Sequence, residues 1–165
     1  MSQLSPSSLA PALELLTSRA GKYQGTGTNF EGHSFTAQME LAPKVAGALV
    51  ELSFRATENA DGDDVAGFHE ELTWITSDLK TDHLCLWTVS SNTPGVLCHP
   101  LIEDRSDDFR DRRFVFRLGD TQARATFRQE IVLDLMRDGT VEYRYSWGVP
   151  HEDLAVRVQA KLRKI

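Results

Sequence analysis

What this chain lacks narrows the field first. It has no run approaching the ~20 apolar residues of a membrane-spanning helix, so a membrane is not an expected partner. Its start, Met1 to Ala10, shows no basic stretch followed by an apolar core. No secretory leader is therefore expected, and a cytoplasmic location is the expectation that follows. Cysteine is scarce: Cys85 and Cys98 are the two present, and they form no Cys-x-x-Cys pair. No zinc site is expected, and in a reducing compartment both should be free thiols. No serine sits in a Gly-x-Ser-x-Gly elbow, and Gly25 and Gly27 lead into a strand pattern rather than a helix. Excess positive charge is also missing, with 18 Lys and Arg against 24 Asp and Glu and a formal net charge of −6. Nucleic acid is therefore not an expected partner, because phosphate binding needs a basic face. Arg105, Arg110, Arg112 and Arg113 do cluster, but Glu103, Asp104, Asp107, Asp108 and Asp111 offset them, and the run reads as a solvated loop.

What is present describes one small domain. At 165 residues, 41% hydrophobic and 25% charged, the chain suits a single domain over 1–165 with a real core. A short helix is expected over about 8–19, with Ser8 as cap, Pro11 in the first turn and Leu9, Leu13 and Leu16 on one stripe. From Gly21 the apolar rhythm changes to period two, the mark of half-buried strands. Phe35, Ala37, Met39 and Leu41 alternate with polar neighbours, as do Phe114, Phe116 and Leu118. The same holds for Phe127 to Leu133, Val141 to Trp147 and Leu154 to Leu162. Turn residues separate the runs at Asn29–Gly32, Pro43–Gly47, Asn59–Asp64, Asn92–Gly95, Asp138–Gly139 and Pro150–Asp153. About ten short strands at this spacing favour an all-β, antiparallel, up-and-down barrel over about 21–163, since closure removes exposed edges.

The segment Gly21-Lys22-Tyr23-Gln24-Gly25-Thr26-Gly27 opens the first strand as Gly-x-aromatic-x-Gly-x-Gly. It resembles the opening signature of the nitrobindin-like and related lipocalin-like (calycin) families. The resemblance implies a barrel in which the aromatic ring packs across the floor and the glycines let the strand bend. It also implies a cavity for a small, largely apolar ligand. Nitrobindin-like barrels hold haem through a last-strand histidine, and the comparable stretch here, Val156 to Lys161, has none. The nearest is His151, in the preceding loop, while Phe68-His69-Glu70 resembles the family's distal histidine position. Without an axial ligand a haem is disfavoured, and no other cofactor is indicated.

Several side chains are candidates for contact with such a ligand. Tyr143, Tyr145 and Trp147 form an aromatic ladder on one strand face, with polar tips that can orient a ligand or merely fill the core. Tyr23, Phe35, Met39 and Phe116 are expected to face the lumen, with Phe127 and Gln129 on the strand before the ladder. His69 and Glu71 share one side of a strand and Glu70 faces the other. Two such ligands make a poor metal site unless His83 or His99 converges on them, so a hydrogen-bonded barrel histidine is the plainer reading. Cys85 and Cys98 fall on one face near Trp87 if their hairpin has a two- or four-residue loop, where buried thiols act as small hydrophobes. Asp61-Gly62-Asp63-Asp64 lacks the spacing and closing glutamate of a calcium loop. The best-supported function is a non-enzymatic binding barrel for a small hydrophobic molecule. Haem chemistry on nitrogen oxides and an interaction module presenting Glu103 to Arg113 are the rivals, and a homodimer is compatible with all three.

Overall fold

A computed structural model describes residues 10–58 and 67–165. The order is α1 (Ala10–Ser18), β1 (Gly21–Asn29), β2 (Ser34–Lys44), β3 (Leu49–Glu58), β4 (Gly67–Asp78), β5 (His83–Ser90), β6 (Thr93–Arg105), β7 (Arg110–Leu118), β8 (Arg128–Met136), β9 (Val141–Gly148) and β10 (Ala155–Lys164), with a 3-10 turn at Val45–Gly47. Each strand pairs antiparallel with the next, and β1 closes on β10, giving a ten-strand barrel without a free edge. The expected Ser8 cap, Leu9 and the Asn59–Asp64 turn, with its acidic loop, lie outside the described residues.

Closure depends on the glycines of β1. A side chain at Gly25 would strike the Lys161 carbonyl of β10, and one at Gly27 would strike the Gln159 carbonyl and the Phe35 ring. The strands therefore approach more closely than any side chain allows, and the space above Gly27 goes to Phe35. Tyr23 is buried, and its hydroxyl donates to the Arg19 carbonyl at 2.5 Å, which ties the end of α1 to the barrel. Ala12 and Leu16 of α1 are buried against the core and Leu13 is half-buried, so the helix covers one end.

The alternating runs give the inner wall, with three departures from the sequence reading. The β5–β6 turn is Ser91–Asn92 rather than Asn92–Gly95, because Ser90 already pairs with Thr93. The run 105–113 is mostly strand: β6 reaches Arg105, β7 begins at Arg110, and ion pairs such as Arg112–Asp104 and Arg113–Asp134 lie along them. In β10 a bulge between Val156 and Val158 breaks the alternation, leaving Val156 exposed while Val158, Ala160 and Leu162 stay buried. Cys85 and Cys98 are free thiols on the outer wall beside Trp87, across a two-residue turn. Burial, with Cys98 alongside, pushes the Cys85 thiol up to about 12.

Candidate functional site

The lumen divides into two layers. Towards α1 it is apolar, filled by Met39, Leu41, Val50, Ile75, Leu84, Leu135 and their neighbours. Towards the other end β4, β5, β6, β8 and β9 send in polar side chains. His69, Glu71, Thr73, Thr88, His99, Gln129, Tyr143 and Tyr145 are all buried, none more exposed than Glu71 at 2%. Burying so many polar groups is costly unless each is hydrogen-bonded.

Two chains of bonds satisfy most of them. In the first, Glu71 accepts from Thr73 Oγ1 at 2.6 Å, from the Tyr143 hydroxyl and from His69 Nε2 at 3.3 Å. Thr73 and Thr88 hydroxyls lie 2.9 Å apart and extend the chain across to β5. The Asn92 amide of the β5–β6 turn sits 2.8 Å from His69 Nδ1, and as an amide donor there it leaves the ring proton on Nε2, facing Glu71. In the second chain Gln129 Nε2 donates to the Tyr145 hydroxyl and Gln129 Oε1 meets His99 Nε2. The rings pack as well: Phe54 stacks on Tyr143 with centroids 4.6 Å apart, and His69 lies tilted on Tyr145 at 4.9 Å.

These contacts set the charge states. Burial alone would raise the Glu71 carboxyl, but the His69, Thr73 and Tyr143 hydrogen bonds outweigh it and hold Glu71 below its ordinary value. Burial, reinforced by the nearby Glu71 charge, raises the Tyr143 phenol well above its usual range. Tyr145 is pushed up to about 12, chiefly by burial. Burial lowers His99, so this imidazole is held neutral.

The side chains of this layer are almost wholly shielded from solvent, and the residues above them form the mouth of the barrel. There Ser90, Thr93, Leu97, Phe127, Trp147 and Arg157 are half-buried. The β10 bulge brings the Arg157 guanidinium over the Trp147 ring at 4.0 Å, with Phe30 at 5.1 Å from the same group. Trp147 Nε1 is buried and has no hydrogen-bond partner among the described residues. The rim is held by Arg128, whose guanidinium donates to the carbonyls of Thr126, Val149 and Glu152 and so staples the β7–β8 and β9–β10 connections together.

The expected site residues thus separate. His69, Gln129, Tyr143 and Tyr145 meet in the polar layer and Trp147 stands above it. Tyr23 and Met39 belong to the apolar floor, while Phe35 and Phe116 are buried wall. Phe127 precedes β8 and is half-buried rather than part of the alternating strand. From the sequence, His69 with Glu71 suggests a metal or acid–base pair; in the structure Glu71 is the shared acceptor of the first bond chain. Thr73, Thr88, Ser90 and Asn92 carry no sequence signal of their own, although Thr73 shares the inward register of β4 with His69 and Glu71, and Thr88 that of β5 with Leu84 and Leu86. His83 is exposed and His99 is inside. Among the described residues no three His, Cys, Asp or Glu side chains gather to hold a metal ion.

The class these features define is a closed ten-strand antiparallel barrel with a helix-covered apolar floor and a polar layer beneath an aromatic mouth. The fold is similar to that of Rv2717c from M. tuberculosis, whose crystal structure superposes with a TM-score of 0.63 over 99% of each chain at 14% identity. At that identity the likeness shows the fold alone. No family model matches the chain, and no curated protein matches it. No helix among the described residues is long and apolar enough to cross a membrane.

Proposed function

We propose that this protein is a lipocalin-like binding barrel that takes a small, largely apolar molecule bearing a hydrogen-bond acceptor into the mouth above Tyr145 and Gln129. The observation that carries this reading is the Trp147 indole N–H, buried at the mouth without a partner. An orphaned buried donor costs about 1–3 kcal/mol, and a ligand acceptor would recover it. The Trp147 and Phe127 rings supply the apolar contact, and Ser90 and Arg157 supply further polar handles.

A haem finds little to hold it. β10 carries no histidine, and both ring nitrogens of His69 are engaged, by Asn92 and Glu71. His151, exposed in the β9–β10 connection, is the remaining histidine near this end. These residues do not fit the group. A stoichiometric Soret shift on adding haem would contradict that assessment.

The test uses the intact protein and 1-anilinonaphthalene-8-sulfonate, an apolar probe with an acceptor group. Wild type should enhance its fluorescence saturably, and Trp147→Phe, which keeps a ring and removes the N–H, should weaken binding about five- to thirtyfold. Equal affinity in the two proteins, or no saturable signal, would overturn the proposal. Native mass spectrometry of the protein as purified then seeks the natural ligand.

A further inference from the structure

The fold brings together the two cysteines of this chain. Cys85 of β5 pairs with Pro100 of β6 and Trp87 with Cys98, so the cysteines stand one diagonal step apart on the same hairpin. Leu84 and Leu86 on β5 and His99 on β6 are buried inside, which turns Cys85 and Cys98 to the outer wall. Diagonal neighbours on one face of a sheet are within side-chain reach, and Cys98 is a hydrogen-bond partner of the Cys85 thiol. A wall that needed only small apolar side chains here could be built from alanine and valine; instead the chain spends its two cysteines side by side.

The two thiols differ in their surroundings. Cys98 is half-buried and open to a small oxidant, whereas Cys85 is 2% exposed. Burial, then the neighbouring Cys98 and Asp78, keep Cys85 protonated, with its thiol pushed up to about 12. Peroxides react with the thiolate rather than the thiol, so Cys98 is the sulfur attacked first and Cys85 acts on it from next door. The Cα separation of diagonal neighbours lies at the upper edge of what a disulfide spans. A bond made there is strained, and strained disulfides are the readily reduced ones.

We infer that Cys85 and Cys98 are a reversible redox pair, oxidised by a hydroperoxide to a cross-strand disulfide and restored by a thiol reductant. The Cys98 thiolate attacks the terminal peroxide oxygen and takes its hydroxyl. The O–O bond breaks, two electrons pass from sulfur to oxygen, and the departing hydroxide or alkoxide picks up a proton from solvent. Cys98 is then a sulfenic acid. Cys85 gives up its proton and its sulfur attacks Cys98 Sγ, forming the S–S bond, while the hydroxide displaced from Cys98 leaves with that proton as water. Two thiols and one hydroperoxide thus give one disulfide, one water and a second water or an alcohol. The same hairpin turns at Asn92, which bonds His69, and carries His99 into the polar layer, so the cross-link fastens strands that build that layer. None of this depends on a ligand at the mouth.

Treating the reduced protein with hydrogen peroxide tests it, read by intact mass, by thiol count after denaturation and by dimedone, which traps sulfenic acid. Wild type should lose both thiols and the mass of two hydrogen atoms, form no cross-linked dimer on a non-reducing gel, and recover both thiols in dithiothreitol. Cys85→Ser leaves Cys98 without its partner and should accumulate about tenfold more dimedone adduct than wild type. Cys85→Ala should do the same without placing a hydroxyl in the wall, and melting temperatures show that each variant is folded. Cys98→Ser retains the buried thiol alone and should resist peroxide. Two intact thiols in wild type after peroxide, or wild type trapped by dimedone as heavily as Cys85→Ser, would overturn the inference. So would a disulfide found between two molecules rather than within one.

Discussion

The two layers of the lumen are built by the same strands with the same alternation, yet they hold together by different physics. In the floor, Leu41, Leu84 and Leu135 gain stability from removing apolar surface from water, a term that is non-directional and insensitive to proton concentration. In the layer above, Glu71, His99 and Gln129 are buried just as deeply but are held by directed bonds whose strength depends on which atoms carry protons. The floor can thus be described by volume and area, and the polar layer only by its bonding partners. A barrel needing nothing but a core could have been apolar throughout.

The comparison can be broken or sharpened by substitution. The largest effect is expected in the floor. Leu135→Ala should cost about 2–5 kcal/mol from lost burial and the cavity left behind, with the same loss at pH 5 and pH 8. A loss that varied with pH would show that the layers are not separable. Glu71→Gln should cost less, about 1–3 kcal/mol near neutrality, and should change the pH profile. Because Glu71 is held below its ordinary value when folded, its contribution is fully present above the unfolded carboxyl range. It is lost as pH falls through the folded value. The variant's denaturant midpoint should accordingly fall less steeply on acidification than that of wild type, and parallel profiles would remove Glu71 from the acid limb. The smallest effect belongs to His99, whose lowered folded value means that stability drops as pH falls below the unfolded imidazole range near 6.5. His99→Gln should flatten that segment, read from melting temperatures across it.

Much of the wall was legible in the sequence. Runs such as Phe35-x-Ala37-x-Met39-x-Leu41 announce their inward face because hydrophobicity alternates with the pleat, and the structure buries all four. Tyr23, Gly25 and Gly27 announced the tight opening strand. The polar layer was harder to read because His69, Glu71 and Thr73 occupy inward positions with residues that usually mark the outward face. A period-two reading of polarity alone would turn that strand around. The β10 bulge was invisible for a related reason: Leu154, Val156 and Val158 look like continuous alternation, and only pairing with β9 reveals the extra residue.

By itself, then, the sequence determined an all-β chain with one short helix, the inward register of most strands and the glycines that let the barrel close, because these follow from local periodicity and backbone sterics. The tertiary structure alone decided that His69, Glu71 and Tyr143 share a bond network and that Arg157 lies over Trp147. These are encounters between residues far apart in the chain, fixed by closure, strand register and a single bulge, and no local pattern encodes them.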